Sequence, residues 1–176
     1  MIDFSRNHFE LLGLAPAFRI DVTELDRAYR QLQTEVHPDG FAGASDARKR
    51  QALQSSARVN EAYRALKDPV RRAQYLLRLH DIDAVGETDT ALPLEFLERQ
   101  LERREQAADA QAAGDVDALS ALLADARAEG RAMEDVLARM LDRDRAFAAA
   151  RTQVRELTFL AKLAEDIDAM LAAIDA

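Results

Sequence analysis

The chain has 176 residues, of which 48% are hydrophobic, 32% charged and 6% aromatic. It contains no Cys, which excludes disulfides, thiolate metal sites, cysteine nucleophiles and the usual ligands of an iron–sulfur cluster. Residues 1–80 hold 13 Lys+Arg against 10 Asp+Glu, and residues 81–176 hold 11 against 22. The acidic half argues against nucleic acid, which needs dense cationic contacts, while the mildly basic half suits an acidic protein surface.

The N-terminal MIDFSRNHFELLGL carries Asp3 and Glu10 and lacks the features of a signal or transit peptide. No segment approaches the roughly 18 unbroken apolar residues of a membrane helix, so a cytoplasmic protein is expected. The composition is rich in Ala, Leu, Glu and Arg, which lose little rotamer freedom in a helix. With 6 Gly and 4 Pro to interrupt it, the chain is predicted to be all-α.

Asn7 with Glu10 has capping-box spacing and Gly13 suits a helix end, predicting a short helix around 7–12. Asp21 with Glu24 repeats the start signal. Val22, Leu25, Tyr29, Leu32 and Val36 then give one buried helical face, and Pro38 stops the helix near His37. Residues 38–45 (PDGFAGAS) form a turn-rich loop. A third helix over about 46–67 buries Ala52, Ser55, Val59, Ala62 and Leu66. Asp68 then caps a short fourth helix that starts at Pro69. Tyr29, Leu32, Tyr63, Leu66 and Leu76 are assigned to the core; His8 and His80 are read as surface or packing residues.

Residues 81–92 are polar and aperiodic, and mark a domain boundary. Three long helices follow, over about 93–113, 115–141 and 144–175. The second carries Leu119, Leu122, Ala126, Met133, Leu137 and Met140 on one face, and the third Phe147, Ala150, Val154, Leu157 and Ala161. Such stripes are stable only when packed together, which predicts an antiparallel three-helix bundle.

The triplet His37-Pro38-Asp39 lies in the loop between two long helices. By itself it reads as an ordinary turn with an Asp. A catalytic His–Asp pair would need a Ser or Thr nucleophile with an oxyanion site, and no Gly-rich nucleophile turn supplies one. The flanking segments change the weighting. NHFELLGL (7–14), AYRQLQTEVHPD (28–39) and VNEAYRALKDPVRRAQYL (59–76) together resemble a J domain, the four-helix module of DnaJ-like co-chaperones. QSSARVNEAYRALKDPVRRAQYLLRLH (54–80), FLERQLERRE (96–105) and RELTFLAKL (155–163) narrow the resemblance to the HscB family of iron–sulfur cluster assembly, over nearly the whole chain.

The resemblance implies a J domain at 1–78, a linker at 79–90 and a scaffold-binding bundle at 91–176. It implies two partners, an HscA/DnaK-type ATPase chaperone and an IscU-type scaffold protein, with no nucleic acid, membrane, cofactor, metal or enzymatic activity. His37, Pro38, Asp39, Phe41, Arg27, Arg30 and Arg58 are the candidate chaperone contacts. Pro38 stiffens the loop, Asp39 can accept charge-assisted hydrogen bonds, and the arginines steer toward an acidic partner.

Phe96, Leu97, Leu101, Glu102, Glu105 and Phe159 are the candidate scaffold contacts. Helical spacing alone favours bundle core for these leucines, whereas the resemblance places Leu97, Leu101 and Phe159 on the binding surface. Phe159 stands two residues past Leu157, on nearly the opposite side of a helix. Family members commonly carry Lys after the triplet; this chain has Gly40. Two rivals stay open: a J protein with another client, and a helical adaptor that has lost the switch.

Overall fold

A computed structural model describes residues 2–41, 43–84 and 92–174. Among them are seven α-helices and no strand. The chain divides into two compact units, Met1–Leu76 and Leu77–Ala176.

In the first unit, α1 is His8–Leu11. The capping box forms as expected: the Asn7 side chain accepts from the Glu10 amide, and Glu10 accepts from the Asn7 amide. Gly13 follows at φ +69°, the left-handed conformation glycine adopts without strain. Asp21 caps α2 (Val22–Val36) by accepting from the amides of Thr23 and Glu24. A 3-10 turn, Pro38–Phe41, leads toward α3 (Asp46–Lys67). The Asp68 carboxylate accepts from the Arg71 amide, opening α4 (Pro69–Arg78).

All five residues assigned to the inner face of α3 are buried. They meet Phe9, Leu11, Leu12, Phe18, Leu25 and Val36 in one core. Arg72 is buried among them, donating to the Leu66 carbonyl and lying over the Phe18 ring at 5.2 Å. His8 is buried too, stacked on Tyr75 with ring centroids 4.1 Å apart.

The inner face of α2 is narrower than predicted. Val22 is exposed, and Tyr29 and Leu32 are only half-buried. Val22 is the first residue of the helix, where no neighbouring helix covers it. Tyr29 lies instead at the α2–α3 seam, stacked on half-buried Tyr63 at 4.0 Å.

The second unit contains α5 (Leu94–Ala113), α6 (Val116–Ala138) and α7 (Phe147–Ile174), with a π-helical turn at Arg139–Arg143 closing α6. Gly114 ends α5 in the left-handed conformation at φ +66°. Leu119, Leu123, Ala126, Met133, Leu137 and Leu141 of α6 and its π turn are buried, as are Ala150, Val154, Leu157, Leu160, Leu163 and Ile167 of α7. Leu123 and Leu141 replace the expected Leu122 and Met140, and Ala161 is only half-buried. Each of those pairs offers two adjacent apolar residues at i+3 and i+4, so spacing alone cannot choose between them.

The predicted linker is partly structured: Ala84 is buried, and Arg151 and Arg155 of α7 donate to the carbonyls of Asp83 and Ala84. His80 stacks on Phe147 at 3.5 Å. Residues 85–91 of that segment lie outside the described residues.

Candidate functional site

The first candidate site is the tip of the α2–α3 hairpin. His37 is the residue after α2, at φ −61° and ψ 129°, the extended conformation that a following proline imposes. The 3-10 turn then folds back, the Gly40 amide donating to the His37 carbonyl at 3.1 Å. The Asp39 amide donates to His37 Nδ1 at 3.3 Å, which fixes the imidazole ring against the turn. Asp39 Oδ2 stands 3.6 Å from the same nitrogen. The Asp39 side chain is 91% exposed and that of His37 56%. The turn therefore presents a carboxylate and an imidazole outward. Such a tip suits contact with a cation on another protein.

Behind the tip, a polar ladder ties α2 to α3 along their seam. Lys67 donates to both oxygens of Asp26 at 2.7 and 2.8 Å, and Tyr63 Oη donates to Asp26 Oδ1 at 3.0 Å. Next, Tyr29 Oη donates to Asn60 Oδ1 at 2.8 Å, and Gln33 Nε2 donates to the same oxygen. The hydrogen bond from Lys67 is the main cause that holds the Asp26 carboxyl below its ordinary pKa, and it raises Lys67 in return. Sequence patterns missed this ladder, because its members are polar residues whose partners lie 27–41 positions away.

The candidate arginines differ. Arg27 is exposed and 3.7 Å from Glu24; Arg30 is exposed with its Nε on the Asp26 carbonyl. Arg58 is half-buried, donating to Glu61 at 3.1 Å and to the Arg6 carbonyl at 3.4 Å. Those partners hold it against the N-terminal segment.

The second candidate site is the outer face of α5. Leu97 and Leu101 are 39% and 59% exposed, and Leu94, one turn earlier, is 69% exposed. Glu102 and Glu105 are exposed beside them. Leu94 was missed in the sequence, although its spacing of three residues to Leu97 continues the stripe.

Phe96 does not reach this surface. It is 1% exposed and meets Phe159 edge-on at 5.9 Å. Phe96 thus supports the face from beneath. Phe159 itself is half-buried, with Arg104 over its ring at 5.0 Å. Arg104 also stands 3.8 Å from Asp166, which accepts an ion pair from Lys162 at 3.0 Å. No group of three or more His, Cys, Asp or Glu that could hold a metal occurs among the described residues.

The hairpin with its exposed His-Pro-Asp turn, followed by a separate helical bundle, defines a class of J-domain protein. Residues 7–75 match the DnaJ domain model, and residues 92–168 match the HSCB C-terminal oligomerisation domain model. The chain is 47% identical over 171 residues to the co-chaperone protein HscB homolog of Burkholderia cenocepacia, covering 97% of both. Chaperone HscB from Vibrio cholerae superposes with a TM-score of 0.84 at 36% identity, covering 96% of this chain and 99% of that one. Human co-chaperone protein HscB gives 0.87 at 29% identity, covering 95% of this chain and 83% of that one. The chain belongs to the HscB family of co-chaperones.

Proposed function

We propose that the chain stimulates the ATPase of an HscA/DnaK-type chaperone through its His37-Pro38-Asp39 turn, and brings an IscU-type scaffold protein to that chaperone for iron–sulfur cluster transfer. The observation that carries this reading is the hairpin tip: an almost fully exposed carboxylate and an imidazole, fixed by hydrogen bonds within the turn. Arg27, Arg30 and Phe41 lie on α2 or in the turn and join the contact. Arg58 joins the contact from a position set by its bonds to Glu61 and the Arg6 carbonyl.

Stimulation follows only if the turn binds the chaperone's hydrolysing state better than its other states, because a ligand with equal affinity for both shifts nothing. Binding is thus the whole of the work, and the chain makes and breaks no bonds itself. The exposure of Asp39 supports this, because a catalytic orienting carboxylate is normally shielded from water.

The scaffold-binding arm is the α5 face of Leu94, Leu97, Leu101, Glu102 and Glu105, completed by Phe159 from α7 over its buried support Phe96. Exposed leucines beside Glu102 and Glu105, with Arg104 over the Phe159 ring, suit a partner with an apolar patch and charged neighbours. The J domain extends to about residue 78 and the scaffold-binding domain runs from about 91. No helix among the described residues is long and apolar enough to cross a membrane, which is compatible with work in the cytoplasm.

The test is steady-state ATPase of the chaperone with increasing amounts of this protein, with and without the scaffold. Stimulation that rises further with scaffold and is abolished by His37→Gln supports the reading. Stimulation retained in His37→Gln removes the turn from the mechanism, and stimulation indifferent to scaffold reassigns the client.

A further inference from the structure

We propose that a groove in the first unit binds a medium-chain carboxylic acid that carries a second oxygen at its far end. Arg48 holds the carboxylate, an apolar floor covers the chain, and Ser55 meets the far oxygen. The site does not rest on the docking role given above.

The groove is lined by the N-terminal segment, α1, α2 and α3. Its volume is about 460 Å³, in the size range of small-molecule sites. The α3 wall is one helical face, with Arg48, Gln51, Ala52 and Ser55 at i, i+3, i+4 and i+7. Leu32 and Val36, one turn apart on α2, and Leu11 of α1 join Ala52 in an apolar floor. Apolar lining with a few placed polar groups fixes the orientation of an amphipathic molecule.

The two polar contacts stand out by what they lack. Ser55 lines the groove and is 5% exposed. Thr34 and Thr158, also within helices, donate their hydroxyls to the carbonyl four positions earlier. Ser55 makes no side-chain hydrogen bond among the described residues. A buried hydroxyl left unpaired costs stability, and a ligand oxygen in the groove relieves that cost.

Arg48 is exposed and enters no ion pair among the described residues. The groove's carboxylates are engaged. Asp3 accepts from Ser5 Oγ at 2.6 Å and stands 3.8 Å from Arg6, and Glu35 accepts from Gln31 at 3.5 Å.

One open guanidinium in a groove with two carboxylates suits a single negative charge. Its planar fork matches a carboxylate. A dianionic phosphate would meet the repulsion of Asp3 and Glu35 with little cation to offset it. Arg48 and Ser55 are seven residues apart, about 10 Å along the helix axis. An extended chain of roughly eight to ten carbons spans that distance.

The experiment titrates the full, nitrogen-15-labelled chain with decanoate, 10-hydroxydecanoate and decanol, each below its self-association concentration, and follows amide shifts. The hydroxy acid should saturate a single site, moving amides of residues 32–36 and 48–55, and bind about threefold more tightly than decanoate. Decanol should bind at least about tenfold more weakly than decanoate. Arg48→Gln should weaken both acids about tenfold and leave decanol unchanged. Ser55→Ala should erase the advantage of the hydroxy acid over decanoate. Both variants should keep the natural far-UV CD.

Shifts that grow without saturating, or that centre on residues 94–101, overturn the site. Equal affinity for decanoate in the natural protein and Arg48→Gln overturns it as well. An advantage of the hydroxy acid that survives Ser55→Ala overturns the far-end contact and with it the ligand class.

Discussion

The two candidate surfaces are built on opposite principles. The hairpin tip is a short run of neighbouring residues that exposes the Asp39 carboxylate and the His37 imidazole, held by hydrogen bonds within the turn, with a ladder of polar side chains along the seam behind it. The α5 face is a stripe of separate residues on one long helix, apolar where water would favour polar groups, and supported from beneath by buried Phe96, which meets half-buried Phe159 edge-on. A tip of the first kind gives direction through charge and hydrogen bonding. A face of the second kind gives affinity once its leucines are covered. One chain therefore carries a surface suited to directional polar contact and one suited to contact through apolar burial.

Substitutions in the second unit sharpen that contrast most strongly. Phe96→Ala should destabilise the bundle by about 3–5 kcal/mol, as deletion of a fully buried aromatic does. Leu97→Ala with Leu101→Ala should change stability by less than about 1 kcal/mol, because those side chains are already wet, while scaffold affinity falls at least about tenfold. Thermal denaturation and isothermal titration of each variant measure both quantities. A cooperative melt lowered equally by both changes would make the leucines core residues.

The ladder behind the tip comes next. Asn60→Ala removes the shared acceptor of Tyr29 and Gln33 and should cost about 1–3 kcal/mol in chemical denaturation. A change near zero would mean that the ladder decorates a seam already fixed by Leu25, Val59 and Leu66.

Acid titration tests the ladder's other end. The folded-state pKa of Asp26 is depressed, chiefly by its hydrogen bond from Lys67. Its stabilising contribution is therefore complete above the ordinary carboxylate pKa and is lost as pH falls through the depressed folded value. Lys67 is raised by the same bond, so its share is complete below the ordinary lysine pKa and is lost as pH rises through the elevated folded value. Asp26→Asn should flatten the acid limb of the stability–pH curve relative to the natural protein. An unchanged acid limb would show that the ion pair is too exposed to register.

The smallest effect is expected at Glu156, whose pKa is raised mainly by burial, with Arg99 opposing and Glu129 adding to the shift. Its ionised form costs stability at all pH values above the raised folded pKa, and that cost disappears as pH falls below the ordinary glutamate value. Glu156→Gln should raise stability by a few tenths of a kcal/mol at neutral pH, a range typical of half-exposed sites, and have no effect in acid. Guanidinium melts at two pH values measure this.

Much of the architecture could be read from local chemistry. Asn7, Asp21, Asp68–Pro69 and Gly114 each mark an element boundary through their own backbone preferences, and the observed helices begin or end beside them. Long-range choices were less legible. Leu122 and Leu123 are equally good partners by spacing, and only packing within the bundle selects Leu123. The Asp26–Lys67 and Tyr29–Asn60 bonds join residues 41 and 31 positions apart, so no window of sequence contains either pair. Phe96 and Leu97 differ by one residue, and 100° of helix rotation turns one inward and leaves the other in water. The His-Pro-Asp tip was the easiest feature to find, because its three residues are consecutive and its geometry follows from one proline.

The most direct test asks whether both surfaces must belong to one molecule. Chaperone ATPase is measured in the presence of scaffold with His37→Gln, with the Leu97→Ala, Leu101→Ala variant, and with the two mixed. The two-surface account predicts that each variant lacks the extra stimulation given by scaffold and that the mixture does not regain it. Full recovery in the mixture would contradict the account, because the two surfaces would then act without being joined.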